Sequence, residues 1–348
     1  MKNRFLILLS FVLIVGRDAV CANTSMVRER ININRDWRYQ IDDPDGVGAA
    51  LHYSRLKPYL LPCANDFIIF GKRYQRPEGN PGENIAYVKS DFDDSEWRHL
   101  NLPHDWAIEG PFNIDYNGST GKLPYWGIRW YRKTLELSQD DAGKQIYLDI
   151  DGAMSYVSVW CNGQYVGGWP YGYASFRLDL TPYIKAGQKN VLAIRLDNPD
   201  DTSRWYPGSG IYRNVWLVKT SPVHVEQWGT FVRNQQVDSE IAVMEMGVNI
   251  ENHAGKDVQV KLQTSVYLQG KDGRPVGEEV TQSMIKDIAI KKDSWSSARF
   301  QFKVDKPKLW DIDTPNCYVA VSRVFMDGKE MDSYETPFGI RTIEFTHD

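Results

Sequence analysis

The 348-residue chain has the composition of an ordinary soluble globular protein, with 42% hydrophobic and 25% charged residues and a mean hydropathy of −0.47. These values exclude collagen-like, disordered and multi-span membrane proteins. A net charge of −4 argues against nucleic acid as a partner, because a phosphate-binding face must be basic. Twelve tryptophans, 19 tyrosines and 27 glycines favour β-sandwiches or flat aromatic surfaces on which sugars stack.

The first residues have the pattern of a secretory signal peptide. Lys2 and Arg4 form a positive segment, and residues 5–15 form an apolar run that is too short to cross a bilayer. Cleavage after Cys21 or the next residue predicts a signal peptide over 1–22 and a periplasmic or secreted protein that is free of the membrane. Acylation of Cys21 as a lipoprotein and an uncleaved membrane anchor are the two alternatives.

The motifs that mark metal, redox and cofactor chemistry are absent from the sequence. Cys63, Cys161 and Cys317 remain after cleavage, with no Cys-x-x-Cys pair. This spacing favours buried thiols over structural zinc or a redox motif, and it is also compatible with one disulfide bond. The six histidines are scattered, so their spacing predicts no metal site. Without a phosphate-binding loop or a nucleophile elbow, no cofactor and no catalytic residue is predicted.

Short runs of alternating apolar and polar residues, broken by glycine, proline, asparagine and aspartate, recur along the chain and predict an all-β fold. Asn162-Gly163 and Asp327-Gly328 each separate two such runs. Because both residues of these dipeptides accept positive φ, each dipeptide predicts a β-hairpin. Residues 42–90 are rich in turn formers and are expected to form long loops.

A shift in composition near Ser221-Pro222 predicts a boundary between two domains. Most tryptophans precede it, and plainer alternating strands follow it. Those later runs lie at 241–252, 258–268, 297–304 and 316–325. About seven strands in roughly 115 residues match the size of an immunoglobulin-like sandwich. We therefore expect a larger all-β domain over 23–220 and a smaller β-sandwich over 221–338.

Eight motifs follow one another along the chain, six in the first domain and two in the second. They are Phe92 to Trp97 with Leu102-Pro103-His104-Asp105-Trp106, Gly127-Ile128-Arg129-Trp130-Tyr131-Arg132-Lys133, Val159-Trp160-Cys161-Asn162-Gly163, Gly172 to Thr181, Val191 to Asn198, Arg204 to Arg213, Pro307-Lys308-Leu309-Trp310 and Phe338-Gly339-Ile340-Arg341. The first six resemble the N-terminal sugar-binding domain of glycoside hydrolase family two, most closely that of its β-galactosidases. The last two resemble the immunoglobulin-like domain that follows in that family.

The resemblance implies a jelly-roll (galactose-binding-like) β-sandwich, an immunoglobulin-like β-sandwich and then a (β/α)8 barrel. In the family, the barrel carries the two catalytic glutamates of a retaining mechanism. Its Asn-Glu and Arg-x-x-His-Tyr-Pro motifs are absent from these residues, and 339–348 are expected to begin the linker to that missing barrel. We therefore expect the non-catalytic N-terminal part of a retaining β-galactosidase-like enzyme for terminal β-linked sugars of oligo- or polysaccharides, inactive alone.

Other functions remain open at this stage. The chain would serve equally as a free-standing carbohydrate-binding module, or as a structural partner of a separately encoded catalytic barrel. Within the family, β-glucuronidases and β-mannosidases share the first two domains, so a β-galactoside is the favoured sugar rather than the only one. If a barrel normally covers these domains, an exposed apolar patch is expected where it docks.

The resemblance also nominates substrate-binding residues in two loops. Arg204 stands where the family often directs a side chain towards the sugar, Trp205 suits stacking on a pyranose face, and Asn117 aligns with a sugar-contacting asparagine. The alternatives are an Arg204–Asp200 surface ion pair, a core position for Trp205 and a turn role for Asn117. Some family members bind a cation through an acidic residue here; Ser203 with Arg204 does not reproduce it, so the resemblance does not extend to sodium.

Overall fold

The computed structural model describes residues 27–67, 72–116, 121–200 and 208–345. The segment 1–22, with its predicted signal peptide and Cys21, lies outside these residues. Strands dominate the described chain, which confirms the all-β prediction. Among the helices described, none is long and apolar enough to cross a membrane.

The first half of the chain forms a sandwich of two antiparallel sheets. Its strands are β1 (Glu29–Asn32), β2 (Trp37–Ile41), β3 (Arg98–Leu100), β4 (Gly127–Glu136), β5 (Gln145–Ile150), β6 (Val157–Cys161), β7 (Gln164–Trp169), β8 (Phe176–Asp179), β9 (Lys189–Asn198) and β10 (Val215–Thr220). One sheet has the order β1-β10-β5-β8, and the other has the order β3-β2-β4-β9-β6-β7. Neighbouring strands that are distant in sequence, such as β4 and β9, are typical of the jelly-roll connections that the sequence predicted.

The main core of this sandwich lies between the two sheets. Alternate residues of each strand point inward, as period two requires, and Tyr131, Leu148, Ile194 and Leu196 are completely buried there. Trp106, in the motif that was expected to anchor a strand end, is 5% exposed and belongs to the same cluster. The tryptophans of the first half thus serve mainly to fill the core.

A second, aromatic cluster covers the outer face of the six-stranded sheet. Trp130 and Trp160 are completely buried, and their rings stack with centroids 5.4 Å apart. The Trp160 indole donates to the carbonyl of Pro81 at 2.7 Å. Both faces of this sheet therefore carry buried apolar side chains, one towards the main core and one towards the aromatic cluster.

The segment 42–90 supplies the cover for this cluster and corrects one expectation. Besides loops and 3-10 turns it contains the helix α1 (Tyr53–Leu60), whose first turn is capped by the side chain of His52. Leu56 and Leu60, one turn apart, are buried in the aromatic cluster. The helix was missed because only this pair marks its buried face, and Pro58 lies inside it.

The second half forms a smaller sandwich with its own core. Its strands are β11 (Val223–Val237), β12 (Ile241–Asn252), β13 (Val258–Gln269), β14 (Pro275–Val276), β15 (Met284–Ile290), β16 (Ser294–Asp305), β17 (Tyr318–Met326) and β18 (Lys329–Phe338). β11, β12 and β16 form one sheet; β14, β13, β17 and β18 form the other, with β15 also paired to β13. Met246, Val248, Leu262 and Val324 are completely buried between them. This is the immunoglobulin-like architecture expected from the sequence.

Both predicted hairpins are present. Asn162 and Gly163 have φ values of 52° and 80° and join β6 to β7. Asp327 and Gly328, with φ values of 51° and 77°, join β17 to β18. Positive φ at both turn residues gives the turn twist that matches the twist of the strands.

Cys161 is buried, as the sequence favoured, whereas Cys63 and Cys317 are half-buried. Among the described residues, no disulfide joins any two of Cys63, Cys161 and Cys317. Burial of Cys161 in the core of the first sandwich raises the pKa of its thiol to about 12, which keeps it protonated and unreactive.

Candidate functional site

The predicted sugar-binding residues Asn117, Arg204 and Trp205 lie outside the described residues. Their roles therefore stay predictions. The described chain resumes on both sides of each loop, at 116 and 121 and again at 200 and 208. The geometry of these loop ends shows how the two loops are held relative to one another.

Three buried side chains join the bases of the two loops. The Asn198 amide, at the end of β9, donates to the carbonyl of Tyr125 at 2.8 Å and to that of Gly208 at 3.1 Å. The Ser209 hydroxyl donates to the same Tyr125 carbonyl at 2.6 Å. The Tyr125 hydroxyl donates to a carboxylate oxygen of Asp200, also at 2.6 Å. The two predicted sugar loops thus leave the fold from one shared base.

The residues after the second loop are fixed against Met154. Gly210 and Met154 exchange two backbone hydrogen bonds of 2.9 and 3.1 Å. Gly210 has φ +82°, and a Cβ atom there would collide with the carbonyl oxygen of His104. Only glycine satisfies both conditions, so Gly210 is a structural requirement at this end of the loop.

The Pro103-His104-Asp105-Trp106 motif supports the same region without offering a reactive group. His104 shares a 2.8 Å hydrogen bond with the Tyr131 hydroxyl. Burial lowers the pKa of His104 even though Glu109 lies 3.3 Å away. Burial likewise raises the pKa of Asp105, partly offset by its hydrogen bonds with the backbone of Ala107 and Ser209. These groups orient the loop base.

Large apolar side chains are exposed just before the first loop. Ile108, Phe112 and Ile114 are 72%, 75% and 81% exposed, whereas Trp106 beside them is buried. Single exposed apolar residues are ordinary, but three within seven positions are typical of a surface that another domain covers. Tyr171 and Tyr173 are also exposed, with ring centroids 5.5 Å apart.

Sequence reasoning missed the residues that connect the loops. Asn198 appears in the sequence only as the last residue of the motif Val191 to Asn198, but its side chain is 1% exposed and also accepts a hydrogen bond from the Ser155 hydroxyl. Tyr125 and Ser209 had no signal at all, since their partners lie 75 and 84 residues away. The one sequence signal for this loop base is an asparagine at a strand end, Asn198, followed by the glycine-containing segment that begins at Gly208.

Comparison with known proteins defines the class. Residues 87–221 match "Glycosyl hydrolases family 2, sugar binding domain", and residues 223–341 match "Glycosyl hydrolases family 2". The chain therefore belongs to glycosyl hydrolases family 2. This confirms the resemblance inferred from the motifs.

Individual proteins similar to this chain include β-galactosidases and β-glucuronidases. A β-galactosidase of Bacteroides ovatus is 40% identical over 328 residues, which cover 93% of this chain and 33% of that protein. A β-glucuronidase of Formosa agariphila is 27% identical over 280 residues, which cover 74% of this chain and 28% of that protein. The solved structure of a family 2 glycosyl hydrolase of Bacteroides cellulosilyticus aligns with a TM-score of 0.74 at 27% identity. The alignment covers 91% of this chain and 36% of that one. The chain spans about a third of the length of the curated relatives it matches.

Proposed function

We propose that this chain supplies the two non-catalytic N-terminal domains of a β-galactosidase-like retaining glycosidase. A (β/α)8 catalytic domain, on the same polypeptide or on a partner, carries out the hydrolysis of terminal β-linked sugars. The observation that supports this most directly is the match of both sandwiches to family 2 together with the absence of the family's barrel motifs from the sequence. The 40% identity to a β-galactosidase favours a galactoside over a glucuronide.

The chemistry of the loop base supports an accessory role. The hydrogen bonds of Tyr125, Asn198 and Ser209 connect the bases of the two loops. A scaffold holds the loops that carry binding side chains in this way. We propose that Arg204, Trp205 and Asn117, in the two loops joined at that base, bind the sugar. The exposed apolar residues Ile108 and Phe112 form part of the face that docks on the catalytic domain.

The first test is turnover by the purified chain. Nitrophenyl β-galactoside and nitrophenyl β-glucuronide should both remain intact, because this sequence contains neither the family's Asn-Glu acid/base motif nor its Arg-x-x-His-Tyr-Pro barrel signature. Measurable hydrolysis of either substrate by this chain alone would refute the proposal. Binding in a glycan array without turnover would instead favour a free-standing carbohydrate-binding module, for which Tyr171 and Tyr173 offer an exposed aromatic surface.

The second test places the loops beside a known barrel. In a chimera, residues 27–345 replace the matching third of the Bacteroides ovatus β-galactosidase. Arg204→Ala should raise KM for a nitrophenyl β-galactoside by about tenfold, the value of one lost charge-assisted hydrogen bond. Arg55→Ala, an exposed arginine in α1, is the matched control and should leave KM unchanged. Equal effects of both substitutions would contradict a substrate role for Arg204.

We also propose that the protein works in the periplasm or outside the cell. The support is the positive and apolar pattern of residues 1–22. Expression with and without these residues, followed by fractionation, tests this: only the longer form should leave the cytoplasm, with a mature N-terminus after Cys21 or Ala22. Retention of the full-length chain in the membrane pellet would favour the lipoprotein or anchor alternative.

A further inference from the structure

A cluster of two histidines and one glutamate lies where the two sandwiches meet. His224 is the second residue of β11 and pairs directly across from Glu251 of β12. His253 follows two positions after Glu251, so that its side chain falls on the same side. The His253 backbone donates to the carbonyl of Pro222 at 2.8 Å, which fixes its position beside β11.

The three potential ligand atoms face one another. A single oxygen of Glu251 lies 3.3 Å from Nε2 of His224 and 3.4 Å from Nε2 of His253, and all three atoms are within 4.8 Å of one another. Ligand atoms around a tetrahedral zinc ion are about 3.3–3.5 Å apart, given bonds of about 2.0–2.1 Å. Two of the three ligand-to-ligand distances of such a site are therefore already present. A small movement of the partly exposed His253 side chain would supply the third, between the two Nε2 atoms.

The Nδ1 atom of His224 is already engaged, which leaves Nε2 as its ligand atom. Nδ1 lies 2.9 Å from the carbonyl oxygen of Ser221; that oxygen only accepts, so Nδ1 carries a proton. The ring is completely buried, and its Nε2 atom lies beside the Glu251 carboxylate oxygen. The two atoms therefore face one position at which both can bind the same cation.

We propose that His224, Glu251 and His253 bind a divalent zinc-type metal ion through two imidazole Nε2 atoms and one carboxylate oxygen. The Ser221 carbonyl orients His224 in the way that outer partners orient metal-bound histidines. His253 and Glu251 are 41% and 29% exposed at their side chains, so water reaches the fourth position. The Tyr147 hydroxyl of β5, 3.4 Å from Nε2 of His224, links the site to the first sandwich, and the ion stabilises the junction.

Zinc titration of the full chain, freed of metal by a chelator, tests the proposal. We expect one zinc ion per chain by calorimetry and a rise in the midpoint of thermal unfolding with added zinc. Glu251→Gln and His253→Gln should each weaken zinc affinity by more than about 100-fold, the upper end of what losing a mere orienting partner costs. Both positions are partly exposed, and circular dichroism of the metal-free variants checks that they fold.

The matched control is His99→Gln. His99 also faces a carboxylate, with Nδ1 3.3 Å from Asp36, but this exposed pair contains one histidine only. It should leave both the stoichiometry and the affinity unchanged. Absence of one-to-one binding up to about 1 mM zinc, or an affinity that Glu251→Gln and His253→Gln leave intact, would overturn the proposal and identify the cluster as a hydrogen-bonded network alone.

Discussion

The two sandwiches have similar architectures but satisfy their buried polar groups differently. In the first, Arg195 of β9 is 3% exposed and pairs with Asp43 through two hydrogen bonds of 2.8 Å. Asp43 lies outside the sheets, in the segment that covers the aromatic cluster. In the second, Thr264 and Ser322 of adjacent strands are completely buried and bond to each other at 3.0 Å.

Buried charges are paired in both domains, because a buried charge without a partner is very costly. In the first sandwich the charged pair binds the irregular segment that covers the aromatic cluster. In the second, Asp332 of β18 is completely buried and accepts two hydrogen bonds of 2.8 Å from Arg28, which precedes β1. The charged contact of the first sandwich thus holds its own cover, whereas that of the second connects it to the first half of the chain.

The largest expected effect comes from the outer aromatic cluster. Trp160→Ala should lower the free energy of unfolding by about 3–5 kcal/mol, since it removes a completely buried indole and leaves a cavity. Urea denaturation followed by circular dichroism measures this. Trp295→Ala in the second sandwich, 58% exposed, should change it by less than about 0.5 kcal/mol. Similar losses at both sites would show that the cluster is not part of the stable fold.

A somewhat smaller loss is expected from the partner of Arg195. Asp43→Ala should cost about 2–4 kcal/mol, because it leaves the buried Arg195 guanidinium with Asp197, 3.3 Å away, as its remaining carboxylate. It also removes the acceptor of the Trp130 indole N–H, which donates to Asp43 at 2.8 Å. The exposed Lys291–Asp257 pair of the second sandwich is the comparison, and Asp257→Ala should leave urea denaturation unchanged within error. A negligible effect of Asp43→Ala would remove the contrast between the domains.

Each sandwich has one strand-ending asparagine that holds a loop, and these provide a matched pair. Asn198→Ala should cost about 1–3 kcal/mol, since it removes the amide donor to the Gly208 carbonyl and one of the two donors to the Tyr125 carbonyl. Asn252 of β12 similarly donates to the carbonyls of Lys256 and Lys291, and Asn252→Ala should cost the same. In the chimera, only Asn198→Ala should also raise KM. If it lowers stability without changing KM, the loop base has no part in sugar binding.

The smallest effect concerns acid stability. Burial would raise the pKa of Asp141, but hydrogen bonds from Lys219 and Lys144 outweigh burial and lower it. A carboxyl whose pKa is lower when folded adds stability above its ordinary pKa of about 3.9, and that stability is lost as pH falls below it. Asp141→Asn should therefore reduce the loss of unfolding free energy between about pH 5 and pH 3 by under about 1 kcal/mol. Thermal unfolding at a series of pH values measures this as a shallower decline in the midpoint temperature. An unchanged slope would assign the decline to other carboxyls.

The sequence predicted two strands of the second sandwich closely. The run 241–252 is reproduced by β12 (Ile241–Asn252), and 258–268 is reproduced within one residue by β13 (Val258–Gln269). One face of these strands is buried and the other is solvated, so alternation reports them directly. The helix α1 was missed because its buried face rests on two leucines and its packing depends on distant tryptophans.

By itself, the sequence determined the all-β class, the hairpins at Asn162-Gly163 and Asp327-Gly328, and the family, since these depend on local periodicity, turn chemistry and ordered motifs. Only the tertiary structure decided which polar side chains act together. Tyr125, Asn198 and Ser209, like His224, Glu251 and His253, come from different strands and loops, and strand pairing and burial bring them within hydrogen-bonding distance. Such contacts leave no periodic trace along the chain, because each partner is chosen by the fold and not by its neighbours in sequence.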